Sequence, residues 1–174
     1  RVVGFLPNIP ESIITMLAAV SLGAVWSSSS PDFGIKGILD RFRQVEPKIL
    51  FATEGYKYNG KNIDLLGKLR GVLSALPSVE RVVIIPFVSH DPNLQTLNCA
   101  VLYKDFLAGS EEHLSFAQCP FDHPLYIMYS SGTTGLPKSI VHGAGGTLVQ
   151  HMKELRLHCD ISSEDTVFYF TTCG

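Results

Sequence analysis

Short apolar runs alternate along the chain with segments whose hydrophobic positions recur at helical spacing. The runs predict strands and the spaced segments predict amphipathic helices. The predicted strands are residues 2–6, 24–28, 49–52, 82–85, 101–102, 124–129, 138–142 and 167–170. The predicted helices are residues 13–22, 35–45, 65–76 and 147–157. Because several strands lack polar alternation and helices intervene between them, the sequence predicts an α/β fold, a mainly parallel sheet with covering helices.

Length, composition and charge limit the number of domains and the classes of partner that we expect. A chain of 174 residues with 45% hydrophobic and 17% charged residues can bury one sizeable core, so we expect one domain or a large part of one. The formal charge of −2 and the lack of a Lys/Arg block predict no nucleic-acid or anionic-membrane partner. No apolar run reaches the length of a membrane span. Any phosphate recognition must therefore be local.

The four cysteines, Cys99, Cys119, Cys159 and Cys173, show neither the spacing of a zinc site nor that of a disulfide scaffold. They predict no metal site and a reducing compartment, the cytosol. Both ends of the sequence interrupt predicted elements, since Arg1 adjoins an apolar run and the chain stops four residues after the last predicted strand. We therefore expect residues 1–174 to be part of one domain, truncated at both ends, that is completed by the remainder of its own chain.

The segment of greatest chemical interest is residues 129–138, Tyr-Ser-Ser-Gly-Thr-Thr-Gly-Leu-Pro-Lys, between two predicted strands. Gly132 and Gly135 let backbone N–H groups converge on a ligand, and Lys138 supplies a positive charge. Four hydroxyl groups add donors, those of Ser130, Ser131, Thr133 and Thr134. This inventory predicts a polyphosphate-binding loop.

Other interpretations of this loop have different consequences. On composition alone it could be a flexible Gly/Ser/Thr-rich hairpin loop without a ligand. A Walker A loop is disfavoured, because Pro137 stands where the second glycine of that motif belongs and a predicted strand follows Lys138. A serine hydrolase is disfavoured as well, because Ser-Ser-Gly-Thr is not a Gly-x-Ser-x-Gly elbow.

The order of residues in 129–138 resembles the signature loop of the adenylate-forming superfamily, which includes acyl-CoA synthetases, luciferases and peptide-synthetase adenylation domains. Further segments resemble the acetoacetyl-CoA synthetase family within it, namely residues 7–8, 24–34, 40–42, 58–61 and 142–147. The resemblance runs through nearly the whole chain. It implies part of the AMP-binding N-terminal domain of the synthetase fold.

The resemblance also implies an activity for the complete enzyme, acetoacetate-CoA ligase in cytosolic lipid or ketone-body metabolism. A carboxylate attacks the α-phosphate of ATP, bound with Mg²⁺, to give an acyl-adenylate and pyrophosphate, and the thiol of CoA then displaces AMP. Carried over by position, the residues that hold the β- and γ-phosphates would be Ser130, Ser131, Gly132, Thr133, Thr134, Gly135 and Lys138. Residues 171–174 would approach the acyl pocket.

The stretch with Lys57 and Lys61 resembles the segment in which acetyl-CoA synthetases place arginines on the nucleotide end of CoA. Lysine is a point charge rather than a planar fork, so both are candidate contacts for a CoA phosphate, with exposed surface lysines as the alternative. Trp26 on an apolar strand predicts a core position. We expect His142 to cap or pack beside the glycines that follow it.

Several motifs of the family have no counterpart in this sequence, among them the adenine-binding and Mg²⁺-binding motif and the C-terminal lysine of the adenylation step. We therefore expect that the isolated chain does not complete the reaction. Two alternatives stay open at this point. One is a catalytically inactive truncated isoform or pseudoenzyme fragment that acts by binding. The other is another ATP-using enzyme with a hairpin phosphate loop, such as a peptide-synthetase adenylation domain.

Overall fold

The computed structural model describes residues 1–109, 113–131 and 135–172. Its strands are β1 (Val2–Phe5), β2 (Trp26–Ser29), β3 (Ile49–Thr53), β4 (Gly55–Tyr58), β5 (Lys61–Asp64), β6 (Arg81–Ile85), β7 (Ala100–Leu102), β8 (Pro124–Ser130) and β9 (Lys138–Gly143). Its helices are α1 (Pro10–Ser21), α2 (Ile35–Val45), α3 (Leu66–Ser74), α4 (Tyr103–Phe106) and α5 (Ala144–Lys153). A π-helical segment, Glu154–His158, continues α5.

Seven of these strands form one sheet in the order β7-β6-β3-β1-β2-β8-β9. Neighbouring strands run parallel except at the edge, where β8 and β9 are antiparallel. The first strand of the chain lies in the interior of the sheet, between β3 and β2. Strands β4 and β5 form a separate antiparallel hairpin. The predicted α/β class with a mainly parallel sheet is confirmed.

Helices cover both faces of the sheet, and the strand residues alternate between them. On one face, Val3 and Leu50 are buried in a cluster with residues of α2 and α3, and we call this the α2–α3 face. On the other, Val2 and Phe51 are buried with Ala19 of α1, and we call this the α1 face. Because successive side chains of a strand point to opposite faces, one run of apolar residues fills both layers.

The unit β1-α1-β2 shows how local sequence sets this geometry. Pro10 opens α1, where its fixed φ suits the first helical turn. Gly23, at φ +72°, ends the helix in a Schellman motif, in which Ala24 N donates to Ala19 O. The next strand places Trp26 against Gly4, where a Cβ atom would lie 2.6 Å from the indole ring. Trp26 is 5% exposed, which confirms its predicted core position.

The structure departs from the sequence-based expectation at several places. The β4–β5 hairpin and α4 were not predicted, and α5 begins three residues before residue 147. The predicted strand at 167–170 is wrong, since this segment has no regular structure and Phe170 is 92% exposed. A strand needs a hydrogen-bonded neighbour, which an apolar sequence pattern cannot supply. Within the described ranges, no helix combines the length and apolar character needed to cross a bilayer.

Candidate nucleotide-phosphate site

The predicted phosphate loop connects the two strands of the edge hairpin. Ser130 at the end of β8 is paired with Lys138 at the start of β9. The strand that follows Lys138 confirms the basis on which a Walker A loop was disfavoured. Ser131, Gly135 and Lys138 are exposed, and Gly135 has a φ of +138°, which L side chains rarely adopt. Gly132, Thr133 and Thr134, which belong to the predicted site, lie outside the described residues.

The position of the loop in the sheet fits ligand binding. Strand β8 runs parallel to β2, so the loop leaves the sheet at the carboxyl edge of the parallel strands. In open α/β sheets, ligands bind at this edge. No aspartate or glutamate occurs anywhere in residues 124–153, so the only formal charges in the sequence around the loop are cationic. An anion therefore meets hydroxyls, backbone and Lys138, without a carboxylate in the same stretch of sequence to repel it.

The leg of the loop that leaves β8 is anchored on the α2–α3 face through Tyr129. Its Oη lies 3.0 Å from Ser27 Oγ and donates to Arg41 O at 3.3 Å. Ser27 Oγ also donates to Ile127 O at 2.8 Å. Burial raises the pKa of Tyr129, so its hydroxyl is neutral and available as a donor. The Arg41 guanidinium lies over the rings of Phe33 and Tyr129, at 4.4 and 5.6 Å from their centroids.

The other leg, which enters β9, is anchored by Gln44 of α2. Its Nε2 donates to Pro137 O at 2.8 Å, and its Oε1 accepts a hydrogen bond from Ser139 Oγ at 2.8 Å. Residues 137 and 139 flank Lys138, so both sides of the loop lysine are held by one side chain. Sequence reasoning missed Gln44, Ser27 and Arg41 in these roles, because each acts across 88 to 102 residues and none carries a local motif.

A cavity of about 410 Å³ opens beside the base of the hairpin. Its lining includes Ser28, Arg41, Tyr129, Thr171 and Thr172. The volume lies in the range of small-molecule pockets. The structure thus brings residues 171–172 of the predicted approach to the acyl pocket to the same edge as the phosphate loop, and residues 173–174 of that prediction lie outside the described residues.

The two candidate CoA contacts lie on the β4–β5 hairpin, and both are exposed. Lys57 is paired with Asn62, whereas Lys61 is paired with Tyr58. Directly paired residues of an antiparallel hairpin share a face and neighbours along a strand alternate. Lys57 and Lys61 therefore project from opposite faces, and the structure does not bring them together.

His142 of β9 packs against an aromatic ring of β8. The His142 ring lies 5.1 Å from the Tyr126 ring, at a tilt of 41°, so it packs across the strand pair, and its expected place beside the glycines that follow it stays a prediction. Across the part of the chain that the structure describes, no cluster of three or more His, Cys, Asp or Glu side chains is arranged to hold a metal ion.

Comparison with known proteins places the chain in a family. The family model described as AMP-binding enzyme matches residues 1–173, and the chain belongs to this family. The chain is 52% identical to the acetoacetyl-CoA synthetase of Gallus gallus over 180 residues, which cover 100% of this chain and 27% of the relative. It is 51% identical to the acetoacetyl-coenzyme A synthetase of Rhizobium meliloti (strain 1021), with the same coverage.

A solved structure supports the fold as well as the family. The acetoacetyl-CoA synthetase from Streptomyces lividans superposes with a TM-score of 0.91 at 42% sequence identity, over 99% of this chain and 26% of that one. The mainly parallel sheet with its antiparallel edge hairpin is thus an arrangement found in a synthetase of this family. The chain spans about a quarter of the length of the relatives that it matches.

Proposed function

We propose that the protein to which this chain belongs is an acetoacetate-CoA ligase, which converts ATP, acetoacetate and CoA to acetoacetyl-CoA, AMP and pyrophosphate. One observation carries the proposal: the edge hairpin presents Ser130, Ser131, Gly135 and Lys138 at the carboxyl edge of the sheet, with no carboxylate in the surrounding sequence. Identities of about 50% to proteins named acetoacetyl-CoA synthetase support the choice of acid.

The role of the loop in this reaction is to hold the leaving group. In the first step a carboxylate oxygen of acetoacetate bonds to the α-phosphorus, the bond to the bridging oxygen breaks, and pyrophosphate departs. In the second step the CoA sulfur bonds to the acyl carbon and AMP leaves. Catalysis at phosphorus depends mainly on positioning and on stabilising charge. The groups proposed to hold the β- and γ-phosphates are Ser130, Ser131, Gly132, Thr133, Thr134, Gly135 and Lys138.

The magnesium ion is proposed to arrive with ATP, bound to its phosphate oxygens. The loop is suited to such a complex, because its described groups are hydroxyls, a glycine with a positive φ and an ammonium group, which would bind phosphate oxygens. The metal would neutralise charge on the phosphates, while Lys138 would contribute a second cation from the protein.

CoA is the second small-molecule substrate in this proposal, and Lys57 and Lys61 are its candidate phosphate contacts. Because they project from opposite faces of the β4–β5 hairpin, we expect one of them to dominate. Lys57→Gln and Lys61→Gln should therefore raise the KM for CoA unequally. Unchanged KM values in both variants would leave both residues as ordinary surface lysines.

The proposal also covers placement and compartment. We infer that residues 1–174 form part of one AMP-binding domain and that the rest of the synthetase chain supplies the remaining substrate contacts. The cytosol is the proposed compartment, because Cys99, Cys119 and Cys159 are exposed free thiols in the described structure.

The loop assignment is tested in the complete protein with Lys138→Ala and Thr134→Ala, by measuring acetoacetate-dependent pyrophosphate release. Removing one positioned donor from a transition state costs on the order of 10²- to 10³-fold in kcat, and we expect losses of that order for Lys138. Lys104→Ala is the matched control, because this exposed residue lies on α4, which follows β7 at the edge of the sheet opposite β9. Release at the control rate in both variants would refute the phosphate loop.

The choice of acid is tested separately, by comparing acetoacetate with acetate and 3-hydroxybutyrate in the unmodified protein. We expect acetoacetate to give the highest kcat/KM. If another acid is preferred, the substrate assignment fails while the loop assignment stands. A complete protein that binds ATP but releases no pyrophosphate with any of these acids would instead support the binding-only alternative.

A further inference from the structure

Gln44 uses its whole amide group at the base of the phosphate loop. An amide side chain offers two N–H donors and one carbonyl acceptor. The two donors go to Pro137 O at 2.8 Å and to Asp40 O at 2.6 Å, one turn earlier on its own helix. The carbonyl accepts from Ser139 Oγ at 2.8 Å. The bond to Asp40 fixes the orientation of the amide, so the bonds to 137 and 139 come from a held side chain.

The bond between Gln44 and Ser139 identifies the face from which Lys138 projects. The Ser139 side chain meets α2, so it lies on the α2–α3 face. Successive side chains of a strand alternate, and Lys138 therefore projects toward the α1 face. Pairing with Ser130 fixes the backbone of Lys138 in the sheet, and Gln44 holds the residues on both sides of it. Together these contacts prevent β9 from rotating about its own axis at its first residue.

Such restraint matters because a lysine ammonium group is a point charge on a flexible stem. Its contribution to binding a phosphate depends on how much freedom it loses, and a fixed starting point reduces that loss. We propose that Gln44 is a positioning residue that holds the Pro137–Ser139 leg of the loop so that Lys138 meets the ATP phosphates. This inference rests on the proposed function of the loop.

The test uses Gln44→Leu and Gln44→Met, which remove the amide without adding a charge beside the loop. Steady-state kinetics of the complete protein should show the KM for ATP raised about tenfold, the effect of one or two net hydrogen bonds. The KM for acetoacetate should stay unchanged, and the thermal midpoint should fall only slightly, because the lost hydrogen bonds are exposed. Gln150→Leu is the matched control, because it removes an exposed amide of α5 that donates to Glu154 in the π-helical segment.

A double-variant experiment separates a positioning role from general loosening. If Gln44 acts through Lys138, Gln44→Leu should add no further increase in the KM for ATP when Lys138 is already alanine. A full additional increase in that background would overturn the inference, as would an unchanged KM for ATP in the single Gln44 variants. The two proposals can fail separately. If Lys138→Ala lowers pyrophosphate release but the Gln44 variants leave the KM for ATP unchanged, only this inference is refuted. If Lys138→Ala leaves pyrophosphate release unchanged, both proposals are refuted.

Discussion

Replacing Glu54 by glutamine tests how the structure joins the end of β3 to the segment that follows β6. Glu54 follows β3, is 4% exposed and accepts three backbone hydrogen bonds. Oε2 accepts from Phe87 N at 2.9 Å, and Oε1 accepts from Val88 N at 2.6 Å and Ser89 N at 2.5 Å. Its own carbonyl accepts from Leu65 N at 2.7 Å, just before α3. One residue thus connects the ends of two strands with the start of a helix.

The magnitude follows from the donors that the carboxylate satisfies. In its better orientation, the amide oxygen of the Glu54→Gln variant keeps the bonds to Val88 and Ser89, but the NH₂ group of that amide then faces the N–H of Phe87. One bond to a charged acceptor is lost, at about 1.5–3 kcal/mol, and two others become neutral and weaker. Relief from burying a charge offsets part of this loss. We expect Glu54→Gln to lower the free energy of unfolding by about 2 kcal/mol.

Equilibrium urea unfolding at pH 7, followed by circular dichroism, measures this difference. The control is Glu80→Gln, because Glu80 is exposed and pairs at the surface with Lys48 at 2.6 Å. A surface ion pair contributes about 0–1 kcal/mol, so the control should lose much less stability. Equal losses in the two variants, or none at Glu54, would refute the reasoning from the three backbone bonds.

Two further predictions concern the hairpin and the helix that follows it. Gly145→Ala places a Cβ atom 2.2 Å from the Phe121 ring and should lower the free energy of unfolding by about 1–3 kcal/mol. Gly146→Ala meets open space, so it should be neutral or stabilising by up to about 1 kcal/mol. Equal shifts of the thermal midpoint in the two variants would contradict this prediction. Burial raises the pKa of Tyr129, so the folded state keeps the phenol proton at a pH at which the unfolded state loses it. The contribution of Tyr129 to the free energy of unfolding is therefore complete below about pH 10 and declines as the pH rises through the pKa of the folded state. Tyr129→Phe should flatten that decline in urea midpoints measured from pH 9 to 11, and an unchanged slope would disprove the assignment.

Much of the sheet could be predicted from the sequence because its elements carry strong local patterns. Strands such as β3 and β6 are continuous apolar runs, and α2 has apolar residues along one face. The β4–β5 hairpin was missed because its strands are polar, although its turn, Asn59-Gly60 at φ +48° and +73°, has the Asn-Gly signature of a type I′ turn. Helix α4, with four residues, is too short to show a helical period.

The candidate site divides in the same way. The order of glycines, hydroxyls and Lys138 is a local signal, and it located the loop. The side chains that hold the loop are recognisable only after folding, since Gln44 meets Pro137 across 93 residues and Ser27 meets Tyr129 across 102. Nothing in the sequence near Gln44 distinguishes it from any other polar residue on the outer side of α2.

The short pairing between β2 and β8 has a consequence for local unfolding of the sheet. Two residue pairs connect these strands, at a sequence separation of 100, whereas six pairs join β8 to β9 and five join β3 to β6. Because this pairing is the shortest of those compared and joins residues far apart in the sequence, we expect the contact between β2 and β8 to be the least stable of them. Local opening should follow it, and the amides of β8 and β9 should exchange their hydrogens as one unit, earlier than those of β1, β3 and β6.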